Sequence, residues 1–163
     1  IDQERKPGTT FFMTGGLSID FPKNDSATYF AATEDCTVNR CSVSYSERSL
    51  DIYTGHTGPV YKVRCSPFWS SDCQIFLTCS YDWTVRVWNH KEQTGKQEKL
   101  CCHEQYLQEQ VNDIAWSPNT SSVFVSVSND GRIEIWDLFK NNLEPKLIWW
   151  DKINKKTKSN VAK

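Results

Sequence analysis

His56, Ser80 and Asp82 are the residue types of an acyl-transfer triad, in which a carboxylate-held imidazole takes a hydroxyl proton. Their setting speaks against that chemistry. Ser80 stands two residues from Asp82 within a strand-like run, and no Gly-x-Ser-x-Gly turn lifts a nucleophile clear of its strand. A second cluster, Cys101-Cys102-His103, has metal-ligand types, but three adjacent residues cannot all face one tetrahedral ion. No second ligand pair follows at zinc spacing. With Cys36, Cys41, Cys65, Cys73 and Cys79 the cysteines number an odd seven and contain no C-x-x-C, which reads as reduced thiols. No Gly-x-x-x-x-Gly-Lys loop is present to cradle a phosphate. The expectation is therefore no catalytic residue, no metal and no cofactor.

The elements that must position these residues form a repeat. Ile75-Phe-Leu-Thr-Cys-Ser-Tyr-Asp-Trp-Thr-Val-Arg-Val-Trp88 aligns with Val123-Phe-Val-Ser-Val-Ser-Asn-Asp-Gly-Arg-Ile-Glu-Ile-Trp136 at an offset of 48. Ser80 then meets Ser128, Asp82 meets Asp130, and Trp88 meets Trp136. Upstream, Val60 to Pro67 meets Val111 to Pro118 at an offset of 51, so the earlier copy carries three extra loop residues around Phe68 to Cys73. A weaker copy, Tyr29 to Cys41, precedes both at an offset of 47, with Asp35 at the aspartate position and Cys41 in place of Trp. Leu17 to Pro22 is its first strand.

Alternation with a period of two marks strands, and Asn129-Asp130-Gly131 marks a tight hairpin. Asp82-Trp83 fills the equivalent turn without glycine, which predicts a different turn type. The reading is all-β: a lead-in segment over 1–15, three four-stranded units over about 16–54, 58–103 and 110–151, and a basic linker or tail over 152–163. The fourth strands fall at Ser49–Tyr53, Gln97–Cys102 and Lys146–Trp150. A unit of 47 or 48 residues is close to the roughly 40–45 of WD repeats.

Composition sets the outer bounds. With 38% hydrophobic and 13% aromatic residues the chain is globular and suited to strands, and a net charge of −1 argues against a general nucleic-acid or membrane binder. No apolar run approaches the roughly 18 residues of a membrane span. The start at Ile1 has no signal-peptide pattern and no Met, and predicts a piece of a longer protein.

At Gly55-His56, Trp88-Asn89 and Trp136-Asp137 the chain resembles the WD-repeat β-propellers. That resemblance implies a buried network of His56, Ser80, Asp82 and Trp88, with Thr78 as the alternative hydroxyl, repeated in part by Ser128, Asp130 and Trp136. It also implies a ring of about seven blades, of which three are visible. His103 lies eight residues before Val111, whereas His56 lies four before Val60, so a complete second network is not expected. Three blades alone predict an open arc with apolar faces at its ends.

Phe76-Leu-Thr-Cys-Ser-Tyr-Asp-Trp-Thr-Val-Arg-Val-Trp88 and Asp113-Ile-Ala-Trp-Ser-Pro118 are more specific, and resemble the dynein intermediate chains. Arg40-Cys-Ser-Val-Ser-Tyr45 and Leu50-Asp-Ile-Tyr-Thr-Gly-His56 resemble the axonemal members, with a lean to the inner-arm type. The chain departs from the pattern at Arg64-Cys65 and in the long Lys91 to Gln110 connection. The resemblance implies a non-catalytic scaffold subunit of a motor complex. Its implied partners are a dynein heavy chain, other intermediate and light chains and a microtubule-associated assembly, without nucleic acid or membrane. Its implied places are cytoplasm, cytoskeleton and the axoneme of a cilium or flagellum. The rival reading is a WD-repeat adaptor of another complex, a ubiquitin-ligase receptor or a chromatin or signalling scaffold.

Candidate partner contacts are Trp83 in its turn, Phe68 and Trp69 in the insertion, and Trp149 and Trp150 on an outer strand, where alternation turns one inward and one outward. Trp83 reads either as an exposed anchor or as packing on the next blade. Phe68-Trp69 reads as loop self-packing or as an anchor. The five lysines of the tail read as solvated linker ahead of an acidic-partner contact.

Overall fold

Short runs rich in β-branched and aromatic residues, punctuated by Asp, Asn, Ser and Gly, form twelve strands among the described residues. Strands β1 (Gly16–Asp20), β2 (Thr28–Thr33), β3 (Val38–Ser42) and β4 (Asp51–Tyr53) make the first sheet. The second sheet holds β5 (Val60–Cys65), β6 (Ile75–Ser80), β7 (Val85–Asn89) and β8 (Leu100–Cys102). The third holds β9 (Val111–Trp116), β10 (Val123–Ser128), β11 (Arg132–Asp137) and β12 (Leu147–Trp150). Each strand pairs antiparallel with its neighbour in sequence, so each sheet is a four-stranded meander, one blade. The computed structural model describes residues 14–45, 48–90, 100–102, 109–140 and 144–150, with backbone alone at 100–102 and 150. Most of the lead-in segment, His103, residues 97–99 and the tail from 152 lie outside the described residues.

Burial follows from stacking. In β6 the odd and even residues point to opposite faces, yet all but Ile75 are buried, because blade 2 is covered by a blade on each side. Strands β2 and β10 keep an alternating pattern, since one face of each outer blade is left open. The seam between blades 1 and 2 packs Phe30, Ala32, Val38 and Tyr53 against Phe76, Trp88 and Trp69. The seam between blades 2 and 3 packs Leu77, Cys79, Val85 and Val87 against Val111, Ile114, Phe124 and Trp136. In both, a Phe and a Trp from adjacent strands stack: Phe76 on Trp88 at 5.9 Å and 9°, Phe124 on Trp136 at 6.1 Å and 7°.

The inner strands are tied by side chains reaching across the seams. Asp20 accepts from the Cys65 amide at 2.7 Å, and the Trp116 indole donates to the Arg64 carbonyl at 3.0 Å. Trp69 corrects an expectation. Offered as a loop or partner residue, it is instead 8% exposed and meets Phe30 of blade 1 edge-on at 5.7 Å. The three extra residues let the loop reach the neighbouring blade, so Trp69 is not available to a partner.

Candidate functional site

The site begins in the loop before β5. Gly55 has φ +149, a backbone conformation that side chains rarely adopt, so a substitution there is strained, and a Cβ would also meet the Arg86 guanidinium at 2.6 Å and displace it. The next residue, His56, turns inward until its side chain is 1% exposed. Its Nδ1 lies 2.9 Å from Asp82 Oδ2 and its Nε2 lies 2.7 Å from Thr78 Oγ1. The Trp88 indole donates to Thr78 Oγ1 at 2.8 Å. One proton arrangement satisfies all three contacts: Trp88 N–H to Thr78, Thr78 O–H to His56 Nε2, and His56 Nδ1–H to Asp82. Donors in such a chain polarise one another.

Asp82 is the hub. Besides His56 it accepts from the Thr57 amide at 3.0 Å, the Thr84 amide at 3.1 Å and the Thr84 hydroxyl at 2.6 Å. Burial pushes the Asp82 pKa up, but the His56 and Thr84 hydrogen bonds outweigh it and hold the carboxyl well below the usual range. Burial dominates at His56 and lowers its pKa despite Asp82, so the imidazole is held neutral.

Ser80 is not the hydroxyl that links His56 to Trp88; Thr78 is. Both point to the same face of β6, but Ser80 lies one pleat nearer the turn. There it donates to the Gly58 carbonyl at 2.9 Å and accepts from the Asp82 amide at 3.2 Å. With its hydroxyl spent on backbone and out of contact with the imidazole, Ser80 is no nucleophile. The arrangement pins the loop before β5 to the β6–β7 turn. Thr78→Val, which leaves His56 Nε2 and the Trp88 indole unpaired, is expected to cost about 1–3 kcal/mol in urea unfolding. Its second readout is a shift in Trp88 fluorescence; an unchanged midpoint and spectrum would remove Thr78 from the link.

The other blades keep only parts of this device. In blade 3 the Trp136 indole donates at 3.2 Å to Ser126, the Thr78 counterpart, while Ser128 donates to Asp130 at 2.6 Å. Arg132, standing where blade 2 has Thr84, forms an ion pair with Asp130 at 2.8 Å. Ser128, Asp130 and Trp136 are therefore not one linked chain. In blade 1 Thr33 and Thr37 donate to Asp35, and Ala31 and Cys41 replace the hydroxyl and the indole.

The three turns share one backbone feature, against the expectation of a different turn at Asp82-Trp83. Cys36, Trp83 and Gly131, at equivalent positions, have φ of 67°, 67° and 83°. Glycine takes that region freely, whereas a side chain there costs roughly 1–2 kcal/mol. Thr84 was missed in the sequence; its repetition as Thr37 two residues past the turn aspartate was the available signal.

Of the surface candidates, Trp83 is 48% exposed and does not pack away on the next blade. Phe68 is 39% exposed. Trp149 pairs in register with Ile133 on the open face of blade 3 and is half exposed; the side chain of Trp150 lies outside the described residues. The five described cysteines are free, and burial pushes the Cys79 thiol up to about 12, away from reactivity. Among the described residues no cluster of His, Cys, Asp and Glu could hold a metal ion.

With the blades and their turns in place, comparison with known proteins is decisive. The sequence profile of the dynein axonemal intermediate chain 3 WD40 domain matches residues 35–154. The chain belongs to the axonemal dynein intermediate chain family. Dynein axonemal intermediate chain 4 of Homo sapiens is 39% identical over 133 residues, covering 82% of this chain and 15% of the relative. The Danio rerio protein of the same name is 41% identical over 144 residues, covering 85% and 17%. Dynein intermediate chain 2, ciliary, of Heliocidaris crassispina is 34% identical over 144 residues, covering 88% and 19%. The chain thus spans less than a quarter of the length of these intermediate chains.

Proposed function

We propose that this intermediate-chain segment is a non-catalytic scaffold of an axonemal dynein motor. Its propeller binds the tail of a dynein heavy chain, alongside other intermediate and light chains, and helps to place the motor on the ciliary doublet microtubule. The inner arm is the favoured setting. The observation that carries the reading is where the chemistry lies. The groups that could act on a substrate, His56 and Asp82, are sealed inside blade 2, while exposed aromatics stand on rigid turns. The open apolar faces favour a larger ring of about seven blades. Ile19 and Phe21 lie on the blade 1 side, and Val127, Leu147 and Trp149 on the blade 3 side.

Binding of a recombinant heavy-chain tail to the complete protein tests this reading. Saturable binding without ATP hydrolysis is expected; nucleotide turnover by pure protein, or no binding, would overturn it. Trp83→Gly probes the contact. Relief of the left-handed φ leaves the fold at least as stable, within about 1 kcal/mol, while loss of the anchor weakens tail binding by about tenfold or more. Unchanged affinity would exclude Trp83 from the interface without touching the scaffold reading.

A further inference from the structure

Arg40 breaks the pattern of its repeat. It lies on β3 where blades 2 and 3 place the apolar Val87 and Ile135, and in blade 2 that position faces the apolar seam with blade 3. Its Nη1 donates to Asp51 Oδ2 at 3.1 Å within blade 1 and to His90 Nε2 of blade 2 at 2.9 Å. Arg40 Nε is buried with no hydrogen-bond partner among the described residues, so the Nη1 contacts carry the cost of bringing the cation in. His90 Nδ1 lies 2.6 Å from the hydroxyl of Tyr53, again of blade 1. The His90 ring meets Phe30 and Tyr53 at 6.5 Å and 6.4 Å, and its amide is fixed to the Gln74 carbonyl at 2.9 Å.

We propose that Arg40, Asp51, Tyr53 and His90 form a proton-sensitive latch between the first two blades, closed while His90 is neutral and released when it is protonated. Guanidinium has no acceptor. The Arg40 contact therefore needs a bare Nε2, which puts the single imidazole proton on Nδ1, where it donates to Tyr53. A second proton on Nε2 sets two cationic donors face to face at 2.9 Å with no acceptor between them. Among the described residues the charges acting on His90 are Arg40 and Asp51. Burial, and then the Arg40 charge, hold the His90 pKa below its ordinary value, with Asp51 pulling the other way. The closed seam is therefore favoured above the unfolded-state pKa of about 6.5, and is weakened as pH falls below it.

The latch is separate from the His56 network, which holds the loop before β5 to the β6–β7 turn. Hydrogen exchange on the complete protein, read as protection factors between about pH 7.5 and 5.5, separates the two. In the wild type, protection of 38–42, 51–53 and 86–90 falls several-fold on acidification, more than protection of 111–116 and 123–128 across the other seam. His90→Phe, which keeps a ring against Phe30 and Tyr53, abolishes the differential fall, and His56→Gln retains it. A wild-type seam without the differential fall, or a His90→Phe seam that keeps it, overturns the proposal. The ring 15N shifts of His90 in the unaltered protein give a check without any variant. At neutral pH they should report a proton on Nδ1 and none on Nε2, and the opposite tautomer would overturn the latch.

Discussion

Trp136→Ala is expected to lower stability by about 3–5 kcal/mol, the largest single effect in the molecule. The side chain is fully buried between blades 2 and 3, stacked on Phe124 and hydrogen-bonded to Ser126. Truncation removes a large apolar surface, opens a cavity between two sheets and orphans the Ser126 acceptor. Because blades draw support from their neighbours, the loss should appear as early opening of the blade 2–blade 3 seam. Phe139→Ala is the control. That residue is 89% exposed in the turn after β11, and its loss should stay within about 0.5 kcal/mol. Urea unfolding of both variants checks the pair; similar midpoints would mean that the seam does not carry the fold.

Asp82→Ala is expected to cost about 3 kcal/mol, because one substitution strands the donors of His56, Thr57 and Thr84. The pH dependence carries a sign. His56 is held neutral with a lowered pKa, so its contribution is complete above the unfolded-state value of about 6.5 and declines as pH falls below it. Asp82 is held ionised with a lowered pKa, so its contribution is complete above about 4 and is lost as pH falls through the folded value. Both weaken the fold on acidification, in successive windows. Asp82→Ala should abolish the lower one, and removal of the carboxylate should lower the His56 pKa further. A variant with the full wild-type acid limb would show that Asp82 is not the hub.

Much of this was legible in the chain. Strand positions follow from period-two alternation and from the 47- and 48-residue offsets, because each blade repeats one hydrogen-bonded unit. The His56–Asp82 pair is what the WD-repeat resemblance at Gly55-His56 and the turn aspartate implies. What was not legible depends on geometry within a shared face or across a seam. Thr78 and Ser80 have the same parity and similar side chains, and only the pleat height of the Trp88 indole decides between them. Trp69 reads as a loop residue because its partner, Phe30, is 39 positions earlier. The Arg40–His90 contact spans 50 positions, though an arginine at a valine position was a visible anomaly. Trp83 reads as an irregular turn because the side-chain penalty at positive φ argues against the backbone it adopts.

The most direct test of the account is purification of the complete, tagged protein from axonemes, followed by mass spectrometry of what it retains at moderate salt. The account predicts a dynein heavy chain at near-equal stoichiometry, with further intermediate and light chains. A complex without any heavy chain, carrying ubiquitin-ligase or chromatin subunits in its place, would contradict it.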